Sequence, residues 1–168
     1  MQLIFETERL IVRKLKLSDL KGLHEMQSNS NVMRYTTGNI KTLKENEMEL
    51  LKLIKFYNLP MNNFWVYAIQ LKPSTDFIGT VAIIKEENND AEIGFRLLEK
   101  YWNKKFGTEI VNGLINYCKL NDYKTLIANS VFKNLASIKI FENAKFKCVE
   151  NFISEDLKLP EQKFILEL

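Results

Sequence analysis

Ala91-Glu92-Ile93-Gly94-Phe95-Arg96-Leu97, running on through Leu98-Glu99-Lys100-Tyr101-Trp102-Asn103-Lys104-Lys105-Phe106-Gly107-Thr108, is the stretch on which the fold turns. Its first half alternates, with Ile93, Phe95 and Leu97 on one side and Glu92, Gly94 and Arg96 on the other, the two-residue period of a strand. Upstream lie two more strand-like runs, Phe64 to Leu71 and Phe77 to Lys85, and the turn-forming segments KPSTD and EENND separate the three. That spacing predicts an antiparallel meander. Downstream the pattern changes. Ile110, Val111, Leu114, Ile115 and Cys118 recur at helical spacing, and Thr125 to Val131 follows as a strand. The sheet therefore switches from meander to parallel crossover after Leu97, and a switch of this kind in an α/β sheet is where ligands sit.

Working outward, Arg9 to Leu15 reads as a first strand, followed by Ser18 as N-cap of a helix carrying Leu20, Leu23 and Met26. Thr42-Leu43-Lys44-Glu45 is a capping box, and Leu50, Leu51, Ile54 and Tyr57 continue it as a second helix, stopped by Asn58-Leu59-Pro60. Beyond the crossover, Leu135 to Ala144 reads as a helix, and Phe146 to Ile153 and Lys163 to Leu168 as strands. The order predicts an α/β domain with a mixed, mostly antiparallel seven-stranded sheet flanked by about four helices. No linker, repeat or low-complexity tract divides residues 1–168, so a single domain is expected.

Composition narrows the chemistry. One histidine, His24, cannot build a multi-histidine metal site, and Cys118 and Cys148 are too far apart for a C-x-x-C hook, so no metal is expected. The 24 basic residues include only four arginines (Arg9, Arg13, Arg34 and Arg96), and the net charge of +3 is scattered. Nucleic-acid recognition favours arginine and a concentrated basic stripe, so a small anionic ligand fits better. No apolar run reaches membrane-spanning length, and MQLIFETERL lacks the basic start and apolar core of a signal peptide. A cytoplasmic protein with reduced thiols is the expectation.

The segment from Leu98 to Thr108 leads into a helix start, whose free N–H groups and dipole favour anions, and Lys100, Lys104 and Lys105 lie close by in sequence. The same residues also fit a solvated basic turn. There is neither a P-loop nor a G-x-G-x-x-G fingerprint.

Five pieces, in order and at matching spacing, resemble the GNAT N-acetyltransferases, and among them the RimJ/RimL-like branch of ribosomal-protein N-terminal acetyltransferases. They are Thr7-Glu8-Arg9-Leu10-Ile11-Val12-Arg13, Val32-Met33-Arg34-Tyr35, Phe77-Ile78-Gly79-Thr80-Val81, the segment from Ala91 through Tyr101-Trp102 to Thr108-Glu109, and Asn134-Leu135-Ala136-Ser137-Ile138 closing with Phe146. The resemblance implies an acetyl-CoA-dependent transfer to a primary amine, with Trp102, Asn103, Lys104, Lys105, Phe106, Gly107 and Thr108 forming the cofactor loop. It also implies that backbone groups of Arg96, Leu97 and Leu98 pair with the pantetheine, that Asn134 contacts it, and that Met33, Arg34 and Tyr35 line the acceptor side. Trp65 reads as core or as part of that lining. Lys105 stands where the family has its first loop glycine, and Lys145 where many relatives have glycine before the aromatic residue. Lys105 either adopts the glycine conformation and adds charge, or weakens the cofactor site, and the second option keeps a degenerate CoA-binding or regulatory module as the alternative function.

Acetyl transfer from a thioester needs a neutral amine, polarisation of the carbonyl and a proton for the departing thiolate, but no protein nucleophile. No Ser-His-Asp or Cys-His arrangement is legible. Glu92, on one strand face with Gly94 and Arg96, is the candidate base, against a structural reading as an ion pair with Arg96 or a cross-strand lysine. Ser137 is the candidate acid implied by the resemblance, against a reading in which Asn134 merely caps the helix and Ser137 fills its first turn. The acceptor could be a protein N-terminus, a polyamine, an amino acid or an antibiotic amine. Exposed strands near the C-terminus leave room for a homodimer.

Overall fold

The computed structural model describes residues 2–168. One sheet of eight strands runs β1 (Leu3–Glu6), β2 (Leu10–Lys14), β3 (Phe64–Leu71), β4 (Phe77–Lys85), β5 (Asp90–Leu97), β6 (Thr125–Val131), β8 (Pro160–Glu167) and β7 (Lys147–Ile153) in spatial order. Five helices flank it: α1 (Leu20–Gln27), α2 (Ser30–Met33), α3 (Leu43–Phe56), α4 (Phe106–Leu120) and α5 (Leu135–Asn143). Every neighbouring strand pair is antiparallel except β5 and β6, so the switch falls where the sequence places it.

The expected count of seven strands and four helices is one short of each. β1 is four residues long and only half covered, too little for a periodic signal, and it forms by pairing Leu3 with Arg13 and Phe5 with Val12. The helix α2 is a single turn, capped by the Asn29 side chain on Asn31 N–H.

Ser18 does not cap α1. It lies in a 3-10 turn, Leu17–Asp19, and the carboxylate of Asp19 takes the Lys16 amide (2.9 Å). The same carboxylate receives both terminal nitrogens of the buried Arg13 at 2.8 Å, while Arg13 Nε donates to Gln70. This fork joins β2, β3 and the start of α1, and removing one partner would strand the other's charge at about 3–5 kcal/mol. Thr42 does cap α3 as the box predicts, with Glu45 reaching back to the Thr42 amide (2.7 Å).

The two sheet faces bury separate clusters. Leu10, Val12, Ile69, Val81, Ile83, Ile93 and Leu97 pack with Ile110, Val111 and Leu114 of α4 and with Phe141 of α5. On the other face Val66, Ala68 and Leu98 pack with Leu23, Met26, Leu50 and Leu53 of α1 and α3. Glu92, Gly94 and Arg96 point to this second face, opposite Ile84, Ala82 and Thr80 of β4.

Candidate active site

The parallel pair of strands is short. β5 and β6 match only at Asp90–Thr125, Ala91–Leu126 and Glu92–Ile127, although β5 continues to Leu97 and β6 to Val131. From Ile93 onward the strands diverge, and the β6-facing edge of β5 is left without a strand partner. Backbone amides in that position call for a hydrogen-bonding partner, and an extended amide-bearing chain would fit by strand addition. Part of the edge expected to be free is taken. Leu98 donates to the Ile78 carbonyl and accepts from Tyr101 N–H, both at 2.9 Å, so its N–H is taken and only the second lone pair of its carbonyl is left for a pantetheine. The Leu97 carbonyl receives the Trp102 indole N–H at 2.9 Å, which gives Trp102 a positioning role at the end of the strand.

Glu92 stands where the strands part. It is half-buried and lines a cleft of about 580 Å³ with Glu86, Glu87, Asp90, Asn129, Glu150 and Lys163 among its walls. Burial and then the Glu86 carboxylate push the Glu92 carboxyl above the ordinary range, and the opposing pull of the Asn129 side chain and Lys163 does not cancel the rise. Of the two structural partners expected for it, Arg96 forms no salt bridge with it, and a lysine is represented only by the nearby charge of Lys163. Beside it, a Cβ added to Gly94 would meet nothing within 4 Å, so the strand face next to the carboxylate is open space. Asn129 also presents a buried Oδ1 with no protein partner among the described residues. Sequence reading missed Asn129 because a polar residue inside a strand has no spacing signature, and its register beside Glu92 depends on the parallel pairing.

The loop before α4 carries the unusual backbone. Lys105 is the N-cap of α4 and sits at φ +63°, the left-handed region that glycine occupies freely, and Asn103 is left-handed as well at φ +58°. Lys105 has thus kept a glycine-like conformation while adding an amine. The first helical bond runs from Glu109 N–H to the Lys105 carbonyl (3.2 Å), which leaves the amides of Phe106, Gly107 and Thr108 facing out of the helix end. Gly107 is held close by its neighbours: a Cβ there would fall 2.7 Å from Ile140 Cδ1 and 3.1 Å from the Phe95 ring.

Arg9 is the loop's anchor, a role its sequence position alone does not reveal. Its guanidinium lies 4.3 Å from the Phe106 ring centre, pairs with Glu109 at 2.7 Å and donates to the Lys104 carbonyl at 3.2 Å. Burial alone would raise the Glu109 carboxyl, but the Thr7 hydroxyl, the Arg9 amide and the Arg9 guanidinium outweigh it and hold it below the ordinary carboxylate range. Lys104 and Lys105 are exposed at the loop, whereas Lys100 turns away to pair with Glu25 of α1 at 2.7 Å and adds no charge at the helix end.

Asn134 caps α5, its Oδ1 accepting from the Ser137 amide at 3.3 Å, which leaves its own N–H groups free to point elsewhere. Ser137 is half-buried in the first turn. Of the residues expected to line the acceptor side, Met33 is fully buried and touches Arg96, Tyr35 is half-buried, and Arg34 is exposed, stacked on Tyr35 at 5.2 Å. Trp65 packs on the α4 face, opposite Glu92, and is core. His24 bonds Asn46 at 3.0 Å between α1 and α3. Burial pushes the Cys118 thiol up to about 12, which silences it as a nucleophile. Among the described residues no cluster could hold a metal ion, and no helix is long and apolar enough to cross a membrane.

The strands β5 and β6 part beside Glu92, and the start of α4 packs against β5 through Gly107 and Phe95; the likeness to known proteins says which family carries this arrangement. Residues 9–147 match the family described as the acetyltransferase (GNAT) domain. The chain is 31% identical over 147 residues to an uncharacterized N-acetyltransferase, p20, of Bacillus licheniformis, covering 84% of this chain and 80% of that protein. Among solved structures, a GNAT-family acetyltransferase from Bacillus anthracis superposes with a TM-score of 0.85 at 21% identity, over 97% of both chains. RimL, a ribosomal L7/L12 alpha-N-protein acetyltransferase in complex with coenzyme A, superposes with a TM-score of 0.84 at 15% identity, over 99% of this chain and 98% of that one. At these identities the structural likeness is one of fold. The chain belongs to the GNAT acetyltransferase family, a family of acyltransferases.

Proposed function

We propose that the protein transfers an acetyl group from acetyl-CoA to a primary amine, by direct attack within a ternary complex. The observation that carries this reading is the conjunction at one point of the sheet: β5 and β6 part at Glu92, the carboxylate stands at the parting, and the Gly94 face beside it is empty.

The residues present fit the cosubstrate. The unpaired edge of β5 from Ile93 to Arg96 suits pantetheine amides, and the outward amides of Phe106, Gly107 and Thr108, with Lys104 and Lys105 nearby, suit a pyrophosphate. Asn134, through its free N–H groups, and Trp102, through the Leu97 carbonyl, shape the same groove. Acetyl-CoA supplies the activated acyl group and the sulfur leaving group. The protein then has to deprotonate an ammonium, hold the amine against the splay and return a proton to the thiolate.

Glu92 is assigned the base. Its raised carboxyl is nearer in proton affinity to an amine than an ordinary surface carboxylate is, and the acidic cleft around it attracts an ammonium. Ser137 is assigned the acid on the family resemblance; it sits half-buried in the first turn of α5. Tyr35 bounds the acceptor side, with Arg34 at its solvent rim; Met33, expected there from sequence, is fully buried and backs that wall only through its contact with Arg96. The RimJ/RimL-like pieces favour that branch of the family, within which the acceptor is a protein N-terminus or a small amine. The exposed outer strand β7 offers an edge for a second copy, and the free thiols Cys118 and Cys148 suit a cytoplasmic setting.

The test follows loss of acetyl-CoA with an amine panel. Amine-dependent consumption supports transfer, and binding of acetyl-CoA without turnover of any amine supports the degenerate-module alternative.

A further inference from the structure

Three of the four arginines have protein partners: Arg9 pairs with Glu109, Arg13 with Asp19 and Gln70, and Arg34 bonds Asn31 at the surface. Arg96 does not. Among the described residues its one contact to an acceptor is the Met33 thioether at 3.9 Å, a weak partner, and no carboxylate lies within ion-pair distance. The carboxylate whose charge reaches it, Glu49 of α3, is already held by Lys41 at 2.6 Å. A half-buried guanidinium without an anion is costly, and burial pulls its proton affinity down accordingly. Its other nitrogens have no protein acceptor among the described residues and are not wholly sealed from solvent. Arg96 shares its strand face with Gly94 and Glu92, and a Cβ at Gly94 meets nothing within 4 Å, so room for a ligand lies between the two charged residues.

We infer that Arg96 is a specificity residue for an anionic group, a carboxylate or phosphate, carried by the acceptor whose amine faces Glu92. The inference rests on the acetyltransferase reading above and deepens it. Along this one face of β5 the charge then changes sign. Glu86, Glu87, Asp90, Glu92 and Glu150 make one end acidic, and Arg96, four residues along the strand and about 13 Å away by backbone rise, makes the other basic. A zwitterion lies along such a field in one direction only, amine towards Glu92 and anion on the guanidinium fork. A pure polycation has no group to offer Arg96.

The test uses matched acceptors that differ only in the acid: lysine against cadaverine, ornithine against putrescine, and phosphoethanolamine against ethanolamine. Each pair is measured by kcat/KM and by calorimetric binding. A charge-assisted fork predicts a preference of about tenfold or more for the acid-bearing partner, in the carboxylate pairs, the phosphate pair or both. Arg96→Gln should bring that ratio towards one, and Arg96→Lys should retain part of it. Equal or reversed preference in the wild type overturns the assignment, as does a ratio that Arg96→Gln leaves intact. The wild-type ratio decides the matter even if a variant fails to fold. Preferential binding without turnover would keep Arg96 as the anion site and overturn the acetyltransferase reading instead.

Discussion

The backbone of Gly79 passes so close beneath Arg96 that a Cβ at position 79 would lie 2.1 Å from the Arg96 carbonyl oxygen and 3.0 Å from the Leu97 Cα. The obstructing atoms are backbone, so no rotamer change relieves the contact. Gly79 on β4 thereby fixes where the end of β5 runs, and with it the edge that diverges from β6. Gly79→Ala should cost roughly 3 kcal/mol or more, lowering Tm by about 6 °C or more. Thermal melting checks this, and a variant as stable as the wild type would show that the strand end is not set by this contact.

Glu92→Gln separates stability from function. A carboxyl whose folded pKa lies above its unfolded value binds more protons in the folded state, so its contribution favours folding at low pH and opposes it as pH rises through the folded pKa. Removing the charge should therefore raise Tm at pH 8, while kcat/KM falls by about a hundredfold through loss of the base. In the wild type the acidic limb of the rate profile should lie above the ordinary carboxylate range and vanish in Glu92→Gln. Melting curves at two pH values and a pH–rate series read both halves.

Acid should loosen the loop before α4. Glu109 is held below the ordinary carboxylate range, so its ties to Thr7 and Arg9 stabilise the fold above the unfolded value near 4.5 and fade as pH falls through the lower folded value. Glu109→Gln should lose that acid-dependent part. Amide exchange at residues 103–109 between neutral and acidic pH reports it, and protection unchanged in that window would count against the clamp.

Lys145 has φ +70° immediately after the end of α5, and Lys105 has φ +63° before α4. Both stand where glycine would be relaxed. Lys145→Gly, away from the site, should stabilise by about 0.5–1 kcal/mol, net of the entropy that glycine adds to the unfolded chain. A fall in Tm would mean that the lysine makes a compensating contact.

The switch after Leu97 was legible because it is written in local periodicity: alternation to Leu97, then a helical stripe from Ile110. The matching pieces also carried the loop and α5. What periodicity could not carry is whatever arises between distant segments. Arg9 clamps a loop nearly a hundred positions away, Asn129 meets Glu92 only through the three-pair parallel register, and Leu98 is engaged because Ile78 and Tyr101 reach it. Asp19 in place of Ser18 at the start of α1 is a related case, decided by the buried Arg13 that needs the carboxylate. Charge in sequence was equally ambiguous: three lysines flank the loop, yet Lys100 belongs to Glu25.

The most direct measurement is simultaneous release of the CoA thiol and mass analysis of the acceptor, with wild type and Glu92→Gln side by side. The account predicts CoA released one for one with acetylated amine, and both suppressed together in the variant. Tight binding of acetyl-CoA with no acetylated amine across a broad panel would contradict it.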